Sequence, residues 1–258
     1  MAEELTPKQQ AKLEKKRLKE ENKRKKKLAK WEKQRRLLFP ADKHGRHIMR
    51  SMNFFRFLFY PIHSFFFPFK LYGNKKVADG PCIYVGNHFT MLDMFYPAHT
   101  TTEGIHFMVK QSVMEAPVVG RWGRMIGAIG VLRDGSDVRS VMEAIKVLKN
   151  GEKLCIFPEG TRNRGAEDTF LPFRSGSAML AIKTKTPVVP FVLCSRPRIF
   201  KRIHVVFGEP MSLEEYYDRR LTQEELAEAD AKIEARMYAI RKEHFAFLEE
   251  KKRKKKCK

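Results

Sequence analysis

The chain has 258 residues, 43% of them hydrophobic and 32% charged, which suits one domain of moderate size with appendages. Fifty-two Lys and Arg stand against 30 Asp and Glu, a net charge of +22. A surplus of that size calls for an anionic partner: nucleic acid, anionic lipid or a phosphorylated substrate. Fifteen Gly and 13 Pro exclude collagen-like and low-complexity classes. In the aromatic region the longest uncharged run, 57–69, has 13 residues, too few for a membrane-spanning helix, which needs roughly 20. Charges follow the N-terminus in place of an apolar signal-peptide segment. Cys82, Cys155, Cys194 and Cys257 form no Cys-x-x-Cys pair and no metal spacing, so they read as reduced thiols in a cytosolic setting.

The charge is concentrated at the two ends. Residues 1–36 carry +9 and residues 249–258 (EEKKRKKKCK) carry +5. In the arm, Thr6, Pro7 and Gln9 make a helix-start signal, and strong helix formers follow. Leu13, Leu18, Leu28 and Trp31 keep no heptad, which argues against a coiled coil. The arm reads either as a solvated helix or disordered segment or as an electrostatic tether to anionic lipid, worth about 1 kcal/mol per basic residue near the surface. With Trp31 the sole aromatic between residues 1 and 36, base stacking has little to work with, and no nucleic-acid partner is expected.

Residues 47–72 change character. Phe54, Phe55, Phe57, Phe59, Tyr60, Phe65, Phe66, Phe67 and Phe69 crowd together, and Arg50, Arg56, His63 and Lys70 punctuate them. Pro61 and Pro68 are expected to divide the run into short helical pieces. Short aromatic helices flanked by cations suit the headgroup–acyl boundary of a bilayer; packing of the segment on the domain core is the alternative. From residue 80 onward, strands are predicted at 81–86, 105–109, 128–132, 153–157, 187–193 and 203–207. A helix opening at Ser136 presents Val138, Val141, Met142, Ile145 and Leu148 and stops at Gly151. Further helices are predicted over 175–183 and 222–248, the latter capped by Thr222 and Glu225, with Leu226, Ile233, Met237, Ile240 and Phe247 on one face. Alternating strands and helices imply an α/β fold, a mixed, mostly parallel sheet covered by helices.

Two loops after predicted strands carry chemistry. His88 and Asp93 are spaced His-x4-Asp; there a carboxylate can hold the imidazole in one tautomer while the free ring nitrogen accepts a proton from an alcohol. Glu159, Gly160, Thr161 and Arg162 supply a carboxylate, a flexible backbone, a hydroxyl and a guanidinium, and an Arg with backbone N–H groups is a phosphate-binding set. Lys110 and Arg133 end the strands between them and would add cations to the same rim. No metal ligand cluster is visible in the sequence.

The order His-x4-Asp, then Gly127-x5-Arg133, then Phe157-Pro-Glu-Gly-Thr-Arg162, then Val188-Val-Pro-Phe191 resembles the four blocks of the glycerolipid acyltransferases, and within them the 1-acyl-sn-glycerol-3-phosphate acyltransferases. The resemblance covers roughly residues 70–245, and Gly130 stands where that family often has an aromatic. It implies the family's fold with an N-terminal membrane-docking helical motif. It also implies transfer of an acyl chain from acyl-CoA or acyl carrier protein to a glycerol hydroxyl without a cofactor. His88 matches the base and Asp93 its partner, Glu159, Gly160, Thr161 and Arg162 match the glycerol-phosphate block, and Arg133 matches the second block's basic residue; Arg162, Arg133 and Lys110 would hold the phosphate of a lysophospholipid acceptor. Phe54, Phe55, Phe57, Phe59, Phe65, Phe66 and Phe67 would dock on an anionic phospholipid membrane at the cytoplasmic face. The expected organisation is a basic arm at 1–46, the aromatic motif at 47–72, the acyltransferase domain at 73–248 and a basic tail at 249–258. Competing readings are another acceptor (glycerol-3-phosphate or a different lysophospholipid), a thioesterase, and a non-catalytic membrane- or RNA-binding protein.

Overall fold

The computed structural model describes residues 50–74, 80–132, 137–174 and 176–256, together with residues 14–16, 18, 19, 22 and 26. The chain divides into two units, 1–40 and 41–258. In the first, the described positions are helical and exposed; the capping signal at Thr6 lies outside the described residues.

The second unit is built on a seven-stranded sheet in the order β1-β7-β6-β2-β5-β3-β4. Its strands are β1 (Phe69–Gly73), β2 (Ile83–Gly86), β3 (Ile105–Lys110), β4 (Ile129–Val131), β5 (Lys153–Ile156), β6 (Val188–Leu193) and β7 (Ile203–Phe207). Every neighbouring pair is parallel except β6 with β7. The central strands β2, β5 and β6 are buried at every position, as a parallel sheet covered on both faces requires. Pro190 sits inside β6, but β6 pairs with β7 only from Phe191 onward, so its missing N–H removes no bond from that ladder.

The helices are α1 (Arg50–Phe66), α2 (Gln111–Glu115), α3 (Val119–Met125), α4 (Val138–Lys149), α5 (Ser177–Thr184) and α6 (Gln223–Lys256), with 3-10 turns at Met91–Phe95, Pro97–His99 and Glu214–Tyr216. α4 packs on β4, β5 and α5, and α6 packs on α5, β6 and β7. The connection leaving β2 crosses over β5 to reach β3, whereas the connection leaving β5 crosses over β2 to reach β6. Right-handed crossovers running in opposite directions leave on opposite faces of the sheet. A crevice therefore opens between the carboxyl ends of β2 and β5, the place where open α/β sheets bind ligands.

Several local readings needed correction. Pro61 does not break α1, which runs through it; the carbonyl it leaves without a helical donor belongs to Phe57, which is 83% exposed, where water can serve it. The last residues of the aromatic segment form β1, paired in parallel with β7, because Phe69 and Leu71 find a sheet edge to complete. α4 starts after Asp137, whose side chain accepts the Ser140 N–H at 3.1 Å. It buries Ala144, Val147 and Leu148 and leaves Val138 and Met142 exposed, since small residues let the helix approach the sheet. α6 continues past residue 248 to Lys256, so the described part of the basic tail is helical. α2, α3 and the turns at residues 91–99 had no periodicity strong enough to announce them.

Candidate active site

Gly86 ends β2 against the ring of Phe191, whose Cζ would lie 2.2 Å from a Cβ at this position; no larger residue fits there. Asn87 then clasps the end of β6, giving Nδ2–H to the Leu193 carbonyl at 3.1 Å and accepting the Leu193 N–H at 2.8 Å. This pair of hydrogen bonds fixes where the chain leaves the sheet and delivers His88 to the crevice.

His88 Nδ1 lies 3.0 Å from Asp93 Oδ2. Asp93 is wholly buried, and the same oxygen accepts the backbone N–H groups of Phe89 at 2.6 Å and Thr90 at 2.7 Å. Its other oxygen accepts the Thr90 hydroxyl at 2.8 Å. Thr90 and Asp93 together form a capping box on the 3-10 turn Met91–Phe95, so the spacing of five is set by one turn closing on itself. The His88 ring stacks on Phe157, centroids 4.3 Å apart, and Phe157 leans on Phe191. With the side chain 21% exposed and Nδ1 engaged, Nε2 has no protein partner among the described residues and opens to the crevice.

The loop after β5 reaches across to the same residue. Glu159 is buried; one carboxylate oxygen accepts the His88 backbone N–H at 2.8 Å and the other accepts the Leu171 N–H at 3.1 Å. Burial pushes its carboxyl above the usual range, against the pull of those two N–H groups. Both oxygens face inward, so Glu159 positions His88 rather than meeting a phosphate. Gly160 takes φ +64°, the left-handed turn that suits glycine, and a Cβ there would come within 2.8 Å of Arg174 Cδ. Thr161 and Arg162 follow on the exposed tip. Neither has a hydrogen-bond or ion-pair partner among the described residues, so both are available to a ligand. Asn163 turns back inside, its N–H bonded to the His88 carbonyl at 2.6 Å. Lys110 is exposed at the end of β3, on the same edge but separated from β2 by β5, hence about 10 Å away along the sheet. Arg133 lies outside the described residues.

Sequence reading missed Asn87, the ring of Phe157, Asn163 and Arg196. Arg196 donates to the carbonyls of Asn163 and Gly165, both at 3.1 Å, and lies over the Phe89 ring. An isolated Arg between Ser195 and Pro197 gives no signal of that role. Of the expected docking residues, Phe57, Phe65 and Phe66 are exposed. Phe59 packs edge-on against Trp122 at 5.3 Å and Phe67 stacks on His63 at 5.7 Å, so these two face the domain. The side chains of Phe54 and Phe55 lie outside the described residues. The three described cysteines, Cys82, Cys155 and Cys194, are free and buried, and burial pushes Cys82 up to about 11 and Cys194 up to about 12.

Residues 68–194, a stretch that runs from β1 to β6, match the family described as Acyltransferase, in line with the resemblance drawn from the four blocks. Among individual relatives, the chloroplastic 1-acyl-sn-glycerol-3-phosphate acyltransferase of Brassica napus is 33% identical over 130 residues, 49% of this chain and 36% of that protein. The 1-acyl-sn-glycerol-3-phosphate acyltransferase of Saccharomyces cerevisiae is 28% identical over 188 residues, 67% of this chain and 60% of that protein. The one of Borreliella burgdorferi is 32% identical over 133 residues, covering 51% and 52%. The aligned stretches thus span from about a third to three fifths of these relatives. In fold, the chain is similar to the crystal structure of PlsC, the 1-acyl-sn-glycerophosphate acyltransferase of Thermotoga maritima, with a TM-score of 0.57 at 24% identity over 77% of this chain and 80% of that one.

Proposed function

We propose that this protein transfers a fatty acyl group from acyl-CoA or acyl carrier protein to the 2-hydroxyl of 1-acyl-glycerol-3-phosphate, yielding phosphatidic acid. The observation that carries the proposal is the His88–Asp93 pair, held in the β2/β5 crevice beside an unengaged Thr161–Arg162 tip. Asp93 keeps the Nδ1 proton on its side of the ring, so Nε2 takes the proton of the acceptor hydroxyl as that oxygen attacks the thioester carbonyl. The new C–O bond forms, the C–S bond breaks, and the proton held on Nε2 passes to the departing thiolate. No covalent acyl-enzyme is invoked: the described thiols are buried and held protonated by burial. Arg162 and Thr161, with Lys110 and Arg133 further along the rim, take the acceptor phosphate. The backbone N–H groups of His88, Phe89, Thr90 and Gly160 are already used within the protein, which leaves those of Thr161 and Arg162 as the loop donors available to a developing oxyanion.

The acceptor's own acyl chain resides in a bilayer, so the enzyme works at a membrane surface, peripheral or monotopic and on the cytoplasmic face. Among the described residues no helix is long and apolar enough to cross a membrane. The exposed Phe57, Phe65 and Phe66 of α1 supply apolar insertion, and the basic ends supply attraction to anionic headgroups. The test is an acyl-transfer assay with lysophosphatidate and glycerol-3-phosphate as acceptors and acyl-CoA and acyl carrier protein as donors. Phosphatidate formed from lysophosphatidate and lost in His88→Ala is the expected result. Transfer to glycerol-3-phosphate alone, or release of free fatty acid without transfer, would replace the proposal.

A further inference from the structure

The hairpin joining β6 to β7 has features that folding alone does not account for. Ile199 and Phe200, at its tip, are 59% and 63% exposed. Phe200 adopts φ +58°, a left-handed conformation that a bulky side chain rarely takes and that costs stability. A turn selected for folding would place Gly or Asn there and leave the apolar side chains out. The tip is nevertheless closely held. Arg198 and Lys201 close it as an isolated antiparallel bridge, and the Phe200 N–H donates to the Phe66 carbonyl at 2.7 Å. The Phe200 ring lies 5.7 Å from that of Phe65 and 5.8 Å from that of Phe66. One aromatic surface thus forms from two segments more than 130 residues apart.

Its surroundings specify the partner. Lys201 and Arg202 are exposed and, among the described residues, have no ion-pair partner; Lys70 is exposed on β1, the strand that follows Phe66. Apolar side chains ringed by cations, on a chain of net charge +22, match the apolar and anionic layers of a phospholipid surface. The hairpin also leaves the sheet at the catalytic edge: β6 ends at Leu193, clasped by Asn87 next to His88. Arg196, at its base, bonds the carbonyls of Asn163 and Gly165, in the loop after Arg162.

We propose that the β6–β7 hairpin is a second membrane-docking element. It inserts Ile199 and Phe200 beside Phe65 and Phe66 into the headgroup–acyl boundary of an anionic bilayer, while Lys201 and Arg202 meet lipid phosphates. Docking there holds the mouth of the crevice against the surface that supplies the acceptor. The proposal rests on the reading that the acceptor is a membrane lipid, and its test separates the two. An indole introduced by Ile199→Trp is measured with vesicles of phosphatidylglycerol and phosphatidylcholine carrying brominated acyl chains, against the wild type with its Trp31 and Trp122. Extra quenching and a blue shift on binding are expected. Phe200→Gly suits the left-handed backbone, so it keeps or raises the Tm while weakening vesicle binding at high salt about tenfold. It also lowers transfer to bilayer-embedded lysophosphatidate and leaves transfer to a short-chain soluble acceptor unchanged. An unquenched indole on sedimented protein, or equal losses on both acceptors, overturns the hairpin's role and leaves the enzymatic reading standing. Quenching without any acyl transfer by the wild type retains the docking element and removes the enzymatic reading. Wild-type protein that fails to sediment with these vesicles removes the docking of both segments.

Discussion

Two loops leave adjacent strands at the same edge, and they are built in opposite ways. After β2, the polar side chains of the His88–Asp93 turn are engaged internally: Asp93 meets His88, two backbone N–H groups and the Thr90 hydroxyl, while His88 Nε2 has no partner among the described residues. After β5, the loop splits. Glu159 and Asn163 point inward and brace His88 through its N–H and its carbonyl, while Thr161 and Arg162, between them, stay exposed and unengaged. A proton-transfer group must be held within a fraction of an ångström of its working geometry. A phosphate-binding group must exchange water for ligand on each turnover, so it is left free of internal partners. Under the proposed mechanism the β5 loop would serve both needs, with Glu159 and Asn163 buried and Thr161 and Arg162 exposed between them.

The largest expected effect comes from emptying the rigid loop. His88→Ala should lower kcat by at least about 10²-fold with the circular-dichroism spectrum unchanged; a smaller loss would remove His88 as the base. Asp93→Asn should come next. Its amide cannot accept from all of its present donors, so the wrong tautomer becomes available and a buried donor loses its partner, costing about 1–3 kcal/mol of stability. Activity and thermal melting should therefore fall together in this variant, unlike His88→Ala.

Glu159→Gln tests whether the inward half of the β5 loop acts on His88. One of its two backbone bonds must fail, with kcat falling about tenfold and the acceptor KM little changed. A rise in acceptor KM instead would make Glu159 a binding residue. Arg162→Lys tests the outward half: a point charge loses the bidentate fork, so the acceptor KM should rise about tenfold while the donor KM and the Tm stay put.

The smallest effect concerns the packing of α1. Burial pushes His63 down to about 4 and His99 down to about 3, with Asp93 pulling His63 the other way and His63 and Arg56 adding to the drop at His99. Neither ring nitrogen of His63 has a hydrogen-bond partner among the described residues. Between pH 6.5 and about 4 the unfolded chain binds protons that folded His63 refuses. Stability from this site is therefore complete above 6.5 and lost as pH falls toward 4. His63→Phe should flatten that acid limb by about 1–3 kcal/mol in denaturation curves taken across this range, with little change at neutral pH.

What the sequence determined by itself was local. The His-x4-Asp spacing is one capped turn, the runs 153–156 and 203–207 are strands because they are short and mostly apolar, and the Glu-Gly-Thr-Arg segment is a turn because Gly160 permits it. These depend on residues within a few positions of each other. Tertiary structure decided the rest. β2 and β5 lie side by side although Gly86 and Glu159 are 73 positions apart, and that adjacency lets Glu159, which matches the glycerol-phosphate block, bond the His88 backbone. The partner of β1 is β7, so the end of an aromatic segment that reads as interfacial helix becomes a strand. Phe59 and Phe67 face the domain while Phe57, Phe65 and Phe66 face outward, a division no periodicity in a run of nine aromatics could encode. Hydrogen-bond ladders and packing across long separations set these features, and a local pattern cannot report which distant surface will complete it.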